Sequence, residues 1–177
     1  ILCRLDGGPA LSAAIGLIVL SGDVVIEPEL RRFLFMENVG VYSSRIPLPK
    51  EINPQVLREM EEWIPGATEL IVPEDKLDVI AFGCTSGTMA IGAERVAAAV
   101  QKVRPGIPVT DPVSASLKGL AALGVQRVAL LTPYPDSVSD VVADYLEEKR
   151  LVLVERASFK QLGDPTISRI PPEAIYA

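Results

Sequence analysis

Short apolar runs alternate along the chain with stretches of helical periodicity. The runs predict strands at residues 15–20, 39–46, 79–82, 108–110, 127–132 and 151–157. Each run is bounded by polar, glycine or proline residues, as expected of buried strands of a parallel sheet. The regular alternation of strand and helix predicts an α/β fold in which parallel sheets carry helices on both faces.

The segments between these runs predict helices. One begins near Glu27, and one begins at Asn53-Pro54 and continues, with a second piece, to Val72. A helix after Cys84 continues to Val103, because its apolar residues recur at spacings of 4, 3, 4 and 3. Further helices are predicted from Asp111 or Ser114 to Leu123, from Ser137 to Lys149, and from Pro171 onward. We expect two units, residues 1–111 and residues 112–177, the second of them incomplete at its C-terminal end.

The segment Gly83-Cys84-Thr85-Ser86-Gly87-Thr88 joins a predicted strand to a predicted helix. It collects a thiol, three hydroxyls and backbone N–H groups at one point, which favours an anion site that carries its own nucleophile. The chain contains no histidine, so the thiol must be activated by backbone groups and the helix dipole or remain inert. The alternative is that Cys84 is a small buried residue of the core.

Composition limits the classes of partner. The 177 residues carry a formal net charge of -6, and the basic residues are scattered singly, which argues against nucleic acid and anionic membranes as partners. The longest apolar run, residues 13–20, is too short to span a bilayer. The two cysteines, Cys3 and Cys84, form no disulfide framework or metal motif, so we expect a reducing cytoplasm and no metal.

Polar residues follow three of the predicted strands. They form the junctions Ser21-Gly22-Asp23, Cys84-Thr85-Ser86 and Thr132-Pro133-Tyr134. Because ligands bind at the carboxyl ends of parallel strands, we expect the three junctions to converge on one cleft. The alternative is that these residues are polar because strand ends meet water.

Five segments, in order, carry a resemblance to a known family. They are Gly16–Val19, Glu27–Glu29, Arg45–Pro47, Asp78–Gly87 and Leu131–Tyr134. From Ile15 to Ile175 the chain resembles the maleate cis-trans isomerase and arylmalonate decarboxylase branch of the aspartate/glutamate racemase superfamily. The resemblance implies two similar α/β lobes related by a pseudo-twofold axis, with the active site in the cleft between them. It also implies chemistry beside a carboxylate that needs no cofactor.

The resemblance assigns roles to individual residues. Cys84 matches the first of two catalytic cysteines, a nucleophile or base in the isomerases and racemases and a glycine in the decarboxylases. Thr85, Ser86 and Tyr134 match the hydroxyls that hold a substrate carboxylate. We add Thr132, from the same junction as Tyr134, to the candidate substrate-binding residues. The second cysteine of the family would lie beyond Ala177.

Two acidic residues depart from the isomerases. Asp23 and Asp164 stand where those enzymes have asparagines, and an ionised carboxylate repels a substrate carboxylate that an amide would bind. The ectoine-utilisation proteins of the branch resemble the chain most closely here, which implies a substrate with an amino or acylamino group. The alternatives are a helix cap for Asp23 and a turn residue for Asp164.

Three functions follow from this resemblance. The first is an isomerase or racemase of a small carboxylate that uses a Cys84 thiolate, and we expect it to work as a homo-oligomer. The second is decarboxylation of a malonate-like acid in the same hydroxyl cage, with Cys84 as a bystander. The third is a carboxylate-binding module without catalysis.

Overall fold

The protein contains two parallel sheets flanked by helices. The computed structural model describes residues 3, 6, 8–34, 38–48 and 51–176, excluding the side chain of Asp164. The strands are β1 (Ala13–Leu20), β2 (Val39–Ile46), β3 (Val79–Phe82), β4 (Val109–Thr110), β5 (Arg127–Thr132) and β6 (Val152–Ser158). The first sheet has the strand order β2-β1-β3-β4, and the second pairs β5 with β6.

Helices connect the strands. They are α1 (Ile26–Phe33), α2 (Pro54–Glu59), α3 (Ile64–Glu69), α4 (Thr85–Ile91), α5 (Ala93–Gln101), α6 (Pro112–Ala122), α7 (Asp136–Glu148), α8 (Asp164–Ile167) and α9 (Glu173–Tyr176). A 3₁₀ turn (Met60–Trp63) joins α2 to α3. None of the helices in the described ranges has the length and apolar character needed to cross a membrane.

Strand β1 is an inner strand of the first sheet and pairs with β2 on one side and with β3 on the other. Leu17, Ile18 and Val19 are at most 1% exposed, which explains why this strand is continuously apolar rather than alternating. The core continues from β1 into β3 and its helices, where Ile80, Phe82, Leu57, Met60, Ile64, Val96 and Val100 are also buried.

The predicted α/β fold with parallel sheets is confirmed. Strands at residues 39–46, 79–82 and 127–132 have the predicted bounds, because a polar residue precedes each of them and a proline or glycine follows. The division of the chain at residues 111 and 112 stays a prediction. At that point the Asp111 carboxylate accepts hydrogen bonds from the N–H groups of Val113 and Ser114 and begins α6.

Two predicted helices are divided in the structure. The helix predicted to continue to Val103 ends at Ile91, and α5 begins after Gly92. Gly92 has a φ of 96° and a ψ of 132°, a conformation that excludes it from a helix and that residues with a Cβ rarely adopt. The helix predicted from Pro54 is divided by the 3₁₀ turn, and α3 contains Pro65 within its first turn.

The Asp78 carboxylate holds the start of β1 beside the start of β3. Its Oδ2 accepts a hydrogen bond from the N–H of Ala14 at 2.8 Å, and Lys76 lies 3.6 Å from Oδ1. The bond from Ala14 is the main cause that lowers the pKa of Asp78 below its ordinary value of 3.8, and Lys76 adds to it.

We expect Gly92→Ala to destabilise the protein by about 1–3 kcal/mol, because alanine is strained in this conformation. The matched control is Gly119→Ala in α6, where a Cβ also meets nothing within 4 Å but the backbone is helical. This control should stabilise the protein by roughly 0.5–1 kcal/mol. Urea unfolding measures both changes, and a shift of both variants in the same direction would contradict the account.

We expect Asp78→Asn to lower stability at neutral pH and to have little effect in acid. A lowered folded-state pKa means that the carboxylate stabilises the fold above 3.8, and that this contribution is lost as pH falls through the folded value. Urea unfolding of the wild-type protein and of Asp78→Asn, from neutral pH into acid, provides the measurement. A stability difference that persists in strong acid would show that charge is not its cause.

Candidate active site

Cys84 lies at the carboxyl end of β3 and directly precedes α4. Its backbone is extended, and its Sγ accepts a hydrogen bond from the N–H of Gly87 at 3.3 Å. The Ser86 hydroxyl lies 3.9 Å from the same sulfur, and the Thr88 hydroxyl donates to the Cys84 carbonyl at 2.8 Å. The thiol is 5% exposed. The sulfur therefore sits in a small polar setting within the edge of the core.

The position of the Cys84 sulfur requires a glycine at residue 87. A Cβ at residue 87 would lie 2.8 Å from the Cys84 Sγ and 3.3 Å from the Cε of Met60. Both distances are shorter than an ordinary van der Waals contact. The glycine therefore leaves room for the sulfur and lets its N–H approach it.

Gly83 brings the cysteine against α1. Its N–H donates to the carbonyl of Ile18 at 2.8 Å, and a Cβ at residue 83 would lie 2.7 Å from the Cδ1 of Ile26. A side chain at residue 83 would therefore require the end of the Ile26 side chain to move away. The first turn of α1 thus lies beside the backbone that leads into Cys84.

Asp23 caps the first turn of α1. Its Oδ1 accepts hydrogen bonds from the N–H groups of Val25 and Ile26 at 2.7 and 3.0 Å. Arg45 holds the same loop by donating to the carbonyls of Leu20 and Asp23. The structure therefore gives Asp23 a capping role, and its contact with a substrate stays a prediction. The clamp by Arg45 was not expected from sequence, because an isolated strand-end arginine has no distinctive spacing.

Thr85 and Tyr134 line the same cavity of about 410 Å³. Apolar side chains of α4, α6, β5 and α7 form most of its wall, including Met89, Leu120 and Val142. Tyr134 also packs against the buried cluster to which Cys84 belongs. The predicted junctions at Cys84 and Thr132 thus approach one another, since Thr85 follows directly after the cysteine.

Thr132 also lines this cavity, but its hydroxyl is engaged within the protein. The residue is 4% exposed, and its Oγ1 lies 2.6 Å from the Oγ of Ser139. Neither Ser139 nor Ser158, which donates to the Tyr134 carbonyl, was a candidate from sequence. Single serines on a helix or strand give no pattern that distinguishes them from surface residues.

The remaining predicted site residues are less constrained. Asp164 begins the short helix α8 instead of a turn, and its side chain lies outside the described residues, so its role stays a prediction. Convergence of the Ser21-Gly22-Asp23 junction on the cavity also stays a prediction. Among the described residues, no group of three or more histidine, cysteine, aspartate or glutamate side chains could hold a metal ion.

Comparisons with known proteins identify relatives along most of the chain. No protein-family model matches it. Maleate isomerase from Nocardia farcinica is 27% identical over 173 residues, which cover 92% of this chain and 68% of that protein.

Solved structures agree with this similarity. A mutant of the Nocardia farcinica maleate cis-trans isomerase with a covalently bound succinylcysteine intermediate is 26% identical, has a TM-score of 0.81, and covers 93% of this chain and 70% of its own. A liganded arylmalonate decarboxylase, mutated from glycine to cysteine and from cysteine to serine, is 28% identical with a TM-score of 0.72 over 90% of this chain and 67% of its own. Along most of its length the chain is therefore similar to maleate isomerases and to arylmalonate decarboxylase.

Proposed function

We propose that the protein is a cofactor-independent isomerase or racemase of a small carboxylate, with the Cys84 thiolate as its nucleophile or base. The observation that carries the proposal is the position of the Cys84 sulfur, which accepts a hydrogen bond from Gly87 N–H beside the Ser86 hydroxyl. A hydrogen bond to sulfur stabilises the thiolate more than the thiol. The covalent succinylcysteine in the similar maleate isomerase supports a cysteine in this role.

A cis-alkene dicarboxylate shows how the thiolate would act. The sulfur attacks one alkene carbon and forms a C–S bond, while the π electron pair moves to the other carbon and onto its carboxylate. The former double bond is now single and can rotate. When the electron pair returns, the C–S bond breaks, the trans alkene forms and the thiolate is regenerated. Atoms and electrons balance without an added oxidant or reductant.

The hydroxyls of Thr85, Ser86 and Tyr134 would bind the carboxylate on which this charge accumulates. Hydroxyl donors aimed at a developing oxyanion strengthen as the charge grows, and this lowers the barrier. Support comes from the cavity that Thr85 and Tyr134 share and from the position of Ser86 beside the sulfur. Ser86 is buried, and the low exposure of this hydroxyl would strengthen its interaction, because little water competes for the donor.

Decarboxylation of a malonate-like acid is the second candidate. It is favoured by the similarity to arylmalonate decarboxylase. It is also favoured by the cavity lined by Thr85 and Tyr134, whose hydroxyls could bind a carboxylate without any participation of the Cys84 sulfur. A carbanion left by loss of carbon dioxide would use the same donors as the isomerase intermediate. Release of carbon dioxide distinguishes this reaction from isomerisation, which conserves the carbon skeleton.

A finer assignment concerns the substrate and the compartment. Asp23 would hold an amino or acylamino group of a substrate from ectoine or hydroxyectoine breakdown. Since its Oδ1 already caps α1, only the second oxygen is offered to such a group, and the assignment rests on resemblance.

A reducing cytoplasm would keep the thiol in its reactive form.

We expect Cys84→Ala and Cys84→Ser to abolish turnover of maleate and related carboxylates while the fold remains intact. The reason is that neither alanine nor a serine hydroxyl replaces a thiolate at neutral pH. Proton NMR of the substrate measures turnover, and circular dichroism checks the fold.

The matched control for this prediction is Cys3→Ser, which changes the exposed cysteine and should leave turnover unchanged. Full activity in a folded Cys84→Ala protein would remove the thiol from the mechanism. Carbon dioxide release by that same variant would instead favour the decarboxylase.

We expect Gly87→Ala to reduce turnover by roughly a hundredfold, because the new methyl group displaces the sulfur from its place. The control is Gly66→Ala in α3, where a Cβ meets nothing within 4 Å. Steady-state kinetics, with melting temperature measured alongside, separate a misplaced sulfur from a damaged fold. Equal activity of the two variants would show that the position of the sulfur is unimportant.

A further inference from the structure

Hydrogen bonds to the backbone carbonyls of residues 132–134 hold the loop that carries Tyr134. Phe159 N–H donates to the carbonyl of Thr132 at 2.9 Å, and Gln161 N–H donates to the carbonyl of Pro133 at 2.7 Å. The carbonyl of Tyr134 accepts from the hydroxyls of Ser139 and Ser158. Each of three successive carbonyls thus accepts a hydrogen bond, from backbone donors at Thr132 and Pro133 and from two serine hydroxyls at Tyr134.

The hydroxyl hydrogens around Tyr134 can be assigned by counting donors. A serine hydroxyl has one hydrogen, and Ser139 donates it to the carbonyl of Tyr134 at 3.2 Å. The 2.6 Å contact between Thr132 and Ser139 allows either hydroxyl to donate, and with Ser139 donating to Tyr134 we assign Thr132 as its donor. This assignment uses the only hydroxyl hydrogen of Thr132 within the protein. Thr132 consequently cannot donate to a substrate without breaking this chain of bonds.

The chain of hydroxyls connects three separate elements. Thr132 ends β5, Ser139 lies on α7, and Ser158 ends β6. Ser158 is itself oriented by the N–H of Lys160, which donates to its Oγ at 3.1 Å. The carbonyl of Tyr134 therefore lies where the strand, the helix and the neighbouring strand are all fixed by hydrogen bonds.

The ion pairs near the Tyr134 loop are weaker than these hydrogen bonds. Lys160 pairs with Asp136, and Arg156 pairs with Asp140, but all four side chains are at least 44% exposed. Exposed ion pairs contribute little, because water and salt screen them. Ser139 is 7% exposed, and removing its hydroxyl would take one of two serine donors from the Tyr134 carbonyl and the partner from the buried Thr132 hydroxyl. The hydroxyls determine the loop geometry more than the ion pairs do.

We propose that Ser139 and Ser158 are positioning residues that fix the Tyr134 phenol through its own backbone carbonyl. The relevance of this to catalysis rests on the proposed function, in which the phenol binds the substrate carboxylate. Thr132 belongs to the same hydrogen-bond network and orients Ser139 instead of contacting the substrate. Loss of either serine removes one of these two bonds to the carbonyl, and we expect the phenol then to move relative to Thr85.

Fluorine NMR of protein labelled with 3-fluorotyrosine tests the positioning without any substrate. The chain has four tyrosines, and the resonance of Tyr134 is assigned by its disappearance in Tyr134→Phe. In Ser139→Ala and Ser158→Ala we expect this resonance to shift or broaden while the other three stay in place. Ser137→Ala, at an exposed position of the same helix, is the matched control and should leave all four unchanged.

Conservative replacement and kinetics complete the test. Ser158→Thr keeps a hydroxyl and should restore the Tyr134 resonance to its wild-type position. In the alanine variants we expect kcat/KM to fall roughly tenfold, the effect of one lost hydrogen bond.

An unmoved Tyr134 resonance in folded Ser139→Ala and Ser158→Ala proteins would overturn the inference, as would equal shifts of all four tyrosines. Full turnover by Tyr134→Phe would contradict the proposed function, and the fluorine spectra would still decide the positioning role.

Discussion

The hydrogen bond from Gly87 N–H to the Cys84 sulfur is the contact on which the site depends. It forms only because residue 87 lacks a Cβ, which would lie 2.8 Å from that sulfur. The same close packing recurs one residue before the cysteine, where Gly83 lets Ile26 of α1 approach the backbone. Glycines on both sides thus let a sulfur that is 5% exposed meet a polar donor rather than hydrocarbon alone. The core packing and the candidate chemistry are set by the same residues.

The site also depends on how the two sheets are brought together. Helix α4 carries Thr85 and packs against α6 and α7, and the latter follows directly after the Tyr134 loop. Thr85 and Tyr134 consequently line one cavity although they belong to different sheets. The fold itself is similar to those of the maleate isomerase and arylmalonate decarboxylase structures. A carboxylate held between such hydroxyls would receive donors from both halves of the described chain.

The sequence predicted local features well and long-range ones poorly. The residues that limit β2, β3 and β5 predicted these strands to the residue, and Asn53 and Asp111 marked helix starts through capping. The break at Gly92 was missed because the apolar periodicity continues across it, and periodicity does not report a φ of 96°. Cys84 and Ser86 are neighbours in sequence, so their proximity could be predicted. Ser158 lies 24 residues from Tyr134, and only the fold brings it there.

Competition between two alkylating reagents tests most directly whether the sulfur lies in a carboxylate-binding setting. Bromoacetate carries a carboxylate, and iodoacetamide is neutral, while exposed Cys3 serves as an internal reference in the same molecule. We expect bromoacetate to favour Cys84 over Cys3 more strongly than iodoacetamide does, as measured by peptide mass spectrometry, and we expect maleate to slow this labelling. Labelling of Cys3 alone by both reagents, with no effect of maleate, would contradict it.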